Sequence, residues 1–198
     1  MFDVGDYIIY GSNGVCRITN VGPMKMPGVS KDKLYYTMVP CYIRDSEIFT
    51  PVDNERVVMR RVMSKDEAEE FIDEMPDLDE LEIIEEKKRD LEYKAAVLTC
   101  DPKILVELMK TIRARMDERI AEGKKVTASD AKYYHIAEES LYGELAISLD
   151  MDKDGVKVYL QNKVADFEER NVDVSLSIIK RSIHISLYLC YNYLACFN

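Results

Sequence analysis

The sequence predicts an α+β protein of two domains, a small β-barrel followed by a compact five-helix bundle. Up to residue 63 the apolar residues recur mostly with the two-residue period of half-buried strands, and Gly and Pro clusters separate the runs. From Ser64 onward the apolar period changes to the 3.6 residues of amphipathic helices. We therefore place a barrel domain at 1–63 and a helical domain at 64–170. Residues 171–198 form an apolar tail that remains unassigned.

Five short strands make up the predicted barrel. The turn at 11–14 reads Gly-Ser-Asn-Gly, and these residues tolerate the positive φ angles or local hydrogen bonds that a chain reversal needs. Pro51 lacks the N–H group that a central strand donates, so it indicates a strand end or an edge. We expect the turns and the short strands to close the barrel enough to hide its edges. The predicted strands lie at 7–10, 15–18, 34–39, 47–50 and 57–62.

Local signals mark where helices of the second domain begin. Ser64 and Glu67 have the spacing of a capping box, in which each residue satisfies a backbone N–H of the other. Asp101 followed by Pro102 is typical of an N-cap and a first helical position. Because each predicted helix has one apolar side, the helices must pack against one another.

The second helix is predicted at 77–98, after Pro76 ends the first. Its inward side chains are expected to be Leu81, Ile84, Leu91, Ala95 and Leu98.

The cysteine and histidine content disfavours a disulfide framework and a zinc site. The 5 Cys include no C-x-x-C pair and are odd in number, and the 2 His are far apart in sequence. The start of the chain shows no basic flank followed by an apolar run, so no signal peptide is predicted. We therefore expect reduced thiols, a cytoplasmic location, and neither a cofactor nor a metal.

The acidity of the chain is concentrated in one segment. The whole chain has a net charge of −10, and residues 64–86 contain 12 acidic residues and one lysine. This distribution counts against DNA as a tight ligand of the free protein, but a local basic patch elsewhere remains compatible with it. The basic residues of the helical domain lie beside acidic neighbours, so composition favours a solvated helix face over a phosphate-binding patch.

Candidate catalytic and metal-binding patterns are incomplete. The sequence contains no phosphate-binding G-x-x-x-x-G-K-[ST] motif, no G-x-S-x-G and no H-E-x-x-H. The run from Asp150 to Gly155 resembles half of a calcium loop, but Gln161 stands where a bidentate Glu is needed, so a helix N-cap is the favoured interpretation. Cys100 and His135 are conceivable as nucleophile and base, although no pattern places them together. The sequence therefore predicts a protein that is not an enzyme.

Several motifs together resemble the CarD family of bacterial transcription regulators that bind RNA polymerase. Residues 2–18 read Phe-x-Val-Gly-Asp-x-Ile-Ile-Tyr-x-x-x-Gly-Val-x-x-Ile, residues 50–54 read Thr-Pro-Val-Asp-Asn, and residues 64–68 read Ser-Lys-Asp-Glu-Ala. The charged run at 115–125 and the run at 137–146 are similar to runs in the helical part of that family. The resemblance covers about residues 1–165.

This resemblance implies a Tudor-like or SH3-like barrel that binds the β subunit of RNA polymerase by adding its edge to a strand of that subunit. Transcription-repair coupling helicases carry a similar barrel, but this chain has no ATPase motif. No membrane and no small-molecule substrate are expected as partners. The residues that we expect to face polymerase are Met24, Lys25, Phe49, Thr50 and Pro51.

The resemblance also implies that the helical domain lies on promoter DNA at the upstream edge of the transcription bubble and stabilises the open complex. Many family members insert a Trp into the minor groove, whereas this chain has no Trp, and residues 81–84 or Tyr93 occupy the corresponding region. A pure protein–protein adaptor that never touches DNA is the rival interpretation. The expected phosphate contacts are Lys88, Arg89, Lys124 and Lys125.

Overall fold

A computed structural model of the 198-residue chain describes residues 1–24 and 33–171, with side chains described through residue 163. Lys25, one of the predicted polymerase contacts, lies outside the described residues, and so does the predicted apolar tail beyond Asn171.

The described residues up to Arg61 form a five-stranded antiparallel sheet, and five helices follow among the described residues, which confirms the predicted fold class. The strand order across the sheet is β4-β3-β2-β1-β5. Prediction and structure differ at the edges of the sheet. Among the described residues the order ends at β4 and β5, so this part of the chain leaves two strand edges unpaired where closure was expected to hide them. The strands are β1 (Tyr7–Tyr10), β2 (Val15–Pro23), β3 (Leu34–Pro40), β4 (Ile48–Pro51) and β5 (Met59–Arg61).

Alternation along the strands gives the sheet two different faces. Ile8, Ile18 and Tyr36 belong to the buried core of the barrel on one face. On the other face Ile9 and Val15, which are cross-strand partners, pack beneath the helical domain. The helical domain therefore covers only one end of this second face.

The helices begin where the capping signals predicted. Ser64 Oγ accepts a hydrogen bond from the Glu67 N–H at 3.3 Å, and Glu67 accepts one from the Ser64 N–H at 2.8 Å, which completes the capping box. Asp152 accepts a hydrogen bond from the Gly155 N–H at 2.6 Å, as expected for the N-cap interpretation of the acidic run. The helices are α1 (Lys65–Glu74), α2 (Arg89–Thr99), α3 (Pro102–Ala121), α4 (Ala128–Ser148) and α5 (Lys153–Asn171).

The prediction of a helix starting at residue 77 is wrong, because α2 begins at Arg89. Residues 78–85 instead run as a non-helical strap over α3. The Leu81 N–H donates to the Glu107 carbonyl oxygen at 3.3 Å, and the Thr111 hydroxyl donates to the Leu81 carbonyl oxygen at 3.2 Å. The strap is dense in Asp and Glu, and like charges one turn apart disfavour a helix.

The expected inward face of α2 is also wrong. Tyr93 and Ala96 are its buried residues, whereas Leu91, Ala95 and Leu98 are exposed. Tyr93 packs edge-on against Tyr133 with ring centroids 5.7 Å apart. Turning this large aromatic residue inward places the smaller aliphatic side chains outside.

Candidate functional site

The free edge of β4 is the candidate docking site of the barrel. The Val52 N–H donates to the Leu34 carbonyl oxygen at 3.0 Å, so this opposed pair is a hydrogen-bonded one. Hydrogen-bonded and non-hydrogen-bonded pairs alternate along an antiparallel ladder. Phe49, opposite Thr37, therefore belongs to a non-hydrogen-bonded pair. Its N–H and carbonyl groups point away from β3, toward the open edge.

Side chains at this edge divide between the two faces of the sheet. Phe49 is 46% exposed, whereas Thr50 is buried in the barrel and can contribute nothing through its side chain. Pro51 is half-buried, and its backbone has a carbonyl oxygen that can accept a hydrogen bond but no N–H group that can donate one. The structure thus brings together Phe49 and Pro51 at one edge. Met24 follows β2, whose last residue pairs with β3, so it lies on the opposite side of β3 from the open edge.

The four predicted phosphate contacts lie at one end of the helical domain. Lys88 pairs with Glu85 at 2.7 Å, and Lys124 pairs with Glu122 at 2.6 Å. The side chain of Lys125 is exposed. All three lysines keep their ammonium groups at the surface, where exposed ion pairs are weak and exchangeable.

Arg89 is held in a buried polar cluster that no motif or period in the sequence predicts. Asp130 is fully buried, and both Arg89 Nε and Arg115 Nε lie 3.5 Å from its carboxylate oxygens. The Thr127 hydroxyl donates to Asp130 at 2.6 Å. Burial, with the charge of Asp130 as the next contribution, raises the pKa of the Tyr93 hydroxyl. The cluster joins the starts of α2 and α4 to α3, so Arg89 supports the fold.

Of the apolar residues proposed to replace the missing Trp, Ile84 is the one whose side chain is largely exposed. Leu81 is half-buried against α3 and Tyr93 is completely buried, but Ile84 is 82% exposed. The Glu92 carboxylate accepts hydrogen bonds from the N–H groups of Ile84 at 3.1 Å and Glu85 at 3.2 Å. Ile84 is therefore an apolar side chain on a backbone that Glu92 holds in place.

Residues 2–63 match the family model of the CarD-like/TRCF RID domain. This match confirms the resemblance for the whole of the sheet, β1 to β5, and ends immediately before the Ser64 cap of α1. RID is the RNA polymerase-interacting domain of CarD-like proteins, so the match supports a transcription-associated protein that binds RNA polymerase. A comparison with curated proteins finds no match to this chain.

Cys100 lies at the interface between the RID-like barrel and the helices. Its thiol is buried among Ile9, Val15 and Val62, and burial raises its pKa. His135 is an exposed residue of α4. A nucleophilic cysteine needs a depressed pKa and access to substrate, and Cys100 has the opposite environment.

Among the described residues, no three His, Cys, Asp or Glu side chains are placed to bind one metal ion. No helix in that part of the chain has both the length and the apolarity to cross a bilayer.

Proposed function

We propose that this protein is a non-enzymatic regulator in the bacterial cytoplasm. It docks on the β subunit of RNA polymerase through β4 and stabilises the promoter open complex through its helical domain. The observation that carries the proposal is the coincidence of an RID match over residues 2–63 with an open strand edge at β4. An open edge is the feature that strand addition requires.

The chemistry of β4 limits how a polymerase strand can add. Phe49 offers one outward N–H and one outward carbonyl, so a partner residue opposite Phe49 can form both hydrogen bonds. Pro51 offers only its carbonyl oxygen, and therefore a partner residue opposite Pro51 can form one of the two hydrogen bonds of a pair but not both. Phe49 thus sets the register of the added strand, and its exposed ring adds apolar area that docking buries.

The helical domain would contact DNA at the end that carries Ile84, Lys88, Lys124 and Lys125. Apolar side chains can wedge between base steps in the minor groove, and lysines beside them bind phosphates. The acidic strap around Ile84 opposes this contact for the free protein. Docking on polymerase raises the effective concentration of the helical domain at the promoter, so that a weak intrinsic affinity suffices.

The adaptor alternative has specific support. Lys88 and Lys124 are paired with carboxylates, and Arg89 serves the buried Asp130 cluster. Because these basic side chains already have acidic partners, the helical domain does not need a phosphate backbone to neutralise them. A protein partner is therefore compatible with this surface.

Footprinting of a promoter–polymerase complex, with and without this protein, separates the two functions. Extended protection upstream of the bubble is expected from the DNA-contacting regulator. Polymerase binding with an unchanged footprint would instead establish the adaptor. A protein that fails to bind purified polymerase would contradict both.

A further inference from the structure

The second face of the sheet continues past the helical domain as an open surface. Tyr7, Arg17 and Val39 are consecutive cross-strand partners on β1, β2 and β3, and all three are exposed. Thr37 lies on the same face of β3 as Val39 and opposes Phe49 on β4. We call the surface formed by Tyr7, Arg17, Thr37, Val39 and Phe49 the outer sheet face.

The outer sheet face is continuous with the open edge of β4. Phe49 belongs to both, since its backbone forms the edge and its side chain lies on the face. Neighbouring strands are about 4.8 Å apart, so Arg17 on β2 lies roughly 10 Å from the β4 edge. An added strand would lie one spacing further out, roughly 14 Å from Arg17, and a polymerase segment that flanks it can cover that distance with about four extended residues.

Arg17 occupies the centre of this mostly apolar surface without a carboxylate partner among the described residues. Its guanidinium contacts the Tyr7 ring, with Cζ 5.9 Å from the ring centroid. It is also close enough to Cys41 to oppose the burial-induced rise in the pKa of that thiol. Arg61, another exposed arginine of the barrel, is by contrast paired with Glu67. An arginine between aromatic and aliphatic side chains is typical of the residues that dominate binding energy at interfaces.

We propose that RNA polymerase covers the outer sheet face as well as the β4 edge, and that the polymerase segment over Arg17 carries a carboxylate beside apolar side chains. This inference rests on the proposed function, because it extends the same docking site by two strands. The partner must be acidic at this point, since covering Arg17 with apolar atoms alone would desolvate its charge without compensation.

Substitution of Arg17 by Glu tests the inference. Arg17→Glu is expected to weaken the affinity of the full chain for purified RNA polymerase about 10-fold or more, measured without DNA. Arg17→Gln is expected to weaken it less and to make the affinity less dependent on salt concentration. Lys132→Glu is the matched control, because it makes the same change of charge at an exposed position of α4 and should leave the affinity within about 2-fold. Thermal unfolding should show all three variants folded.

Four results would contradict the inference, and they differ in whether they also contradict docking at the β4 edge. If Arg17→Glu binds polymerase like the wild type while Phe49→Asp does not, the outer-face contact is wrong and edge docking stands. If Arg17→Glu and Lys132→Glu weaken binding equally, only net charge matters. If the wild type does not bind polymerase, the proposed function is wrong and the inference falls with it. If sedimentation equilibrium shows a dimer that Arg17→Glu dissociates, a second copy of the chain covers this face instead.

Discussion

Arg60 and Glu144 join the barrel to the helical domain through two hydrogen bonds, from Nη1 to Oε1 at 2.5 Å and from Nη2 to Oε2 at 2.6 Å. Glu144 is 1% exposed, and the Met63 N–H also donates to it at 3.1 Å. Arg60 in addition donates to the Cys100 carbonyl oxygen at 2.9 and 2.7 Å. Five hydrogen bonds thus converge where β5 meets α4 and the end of α2, and they hold the helical domain against the edge of the sheet opposite β4.

Removing one member of this ion pair should destabilise the whole chain. Arg60→Met would leave the Glu144 carboxylate buried without its counter-ion, and we expect the free energy of unfolding to fall by about 3 kcal/mol. The double variant Arg60→Met/Glu144→Leu should recover most of this loss, because an apolar pair of similar volume carries no unpaired charge. Urea unfolding of the two single variants and the double variant gives the coupling energy. If the losses of the two single variants add up to the loss of the double variant, the interaction between Arg60 and Glu144 does not contribute to stability.

Phe49 is the residue whose change should abolish docking without unfolding the barrel. Phe49→Asp places a charge on the open edge of β4, and we expect polymerase to be lost from co-purification with this variant. Because the Phe49 side chain is exposed, the melting temperature of the Phe49→Asp variant should stay close to that of the wild type. Val58→Asp is the matched control, since Val58 is a similarly exposed apolar residue next to β5 at the opposite edge. Retained co-purification by Phe49→Asp would reject the edge assignment.

Local sequence signals predicted the features that depend on neighbours in the chain. The Ser64–Glu67 capping box lies within four residues, and β1 and β2 lie within seventeen, so both features can be predicted without tertiary information. The Arg60–Glu144 pair joins residues 84 positions apart, and no period or motif marks it.

The orientation of α2 shows why the predicted inward face of this helix is wrong. Leu91, Ala95 and Leu98 form a regular apolar stripe, which the helical period alone assigns to the core. The structure buries Tyr93 instead, because its hydroxyl lies 3.4 Å from the buried Asp130 and its ring packs against Tyr133. These partners come from α4, so tertiary contacts override the local pattern.

Ile84 should matter for the open complex and little for stability. Ile84→Asp is expected to shorten the lifetime of the promoter open complex several-fold, because it removes the exposed apolar side chain proposed to enter the minor groove. Ile84→Trp should lengthen it, because a Trp has more apolar area to insert, and the resemblance implies that the Trp of many relatives lies in the region that corresponds to residues 81–84 or Tyr93. Leu91→Asp, at an exposed position of α2, is the control. Equal lifetimes for Ile84→Asp and the wild type, at saturating protein, would remove Ile84 from the interface.

Lys124 and Lys125 test whether the loop between α3 and α4 binds phosphates. Reversing both charges should reduce open-complex lifetime several-fold, with a smaller effect at high salt, while affinity for free polymerase stays unchanged. The double variant Lys65→Glu/Lys103→Glu makes the same change in net charge on exposed lysines of α1 and α3. If both double variants shorten the lifetime alike, the effect comes from net charge, and the loop is a solvated surface.

Glu67 should make stability depend on pH in an acidic window. Its hydrogen bond from Arg61, together with those from the backbone and side chain of Ser64, lowers the pKa of Glu67 from 4.5 to about 2. Because the folded-state pKa is the lower one, the ionised carboxylate stabilises the fold above pH 4.5, and this stabilisation is lost as the pH falls toward 2. Glu67→Gln should therefore be less stable than the wild type near neutral pH, and the difference in melting temperature should shrink between pH 4.5 and 2. Glu70→Gln, at an exposed position of the same helix, is the control. A difference that stays constant across this window would show that the capping hydrogen bonds do not depend on the charge of Glu67.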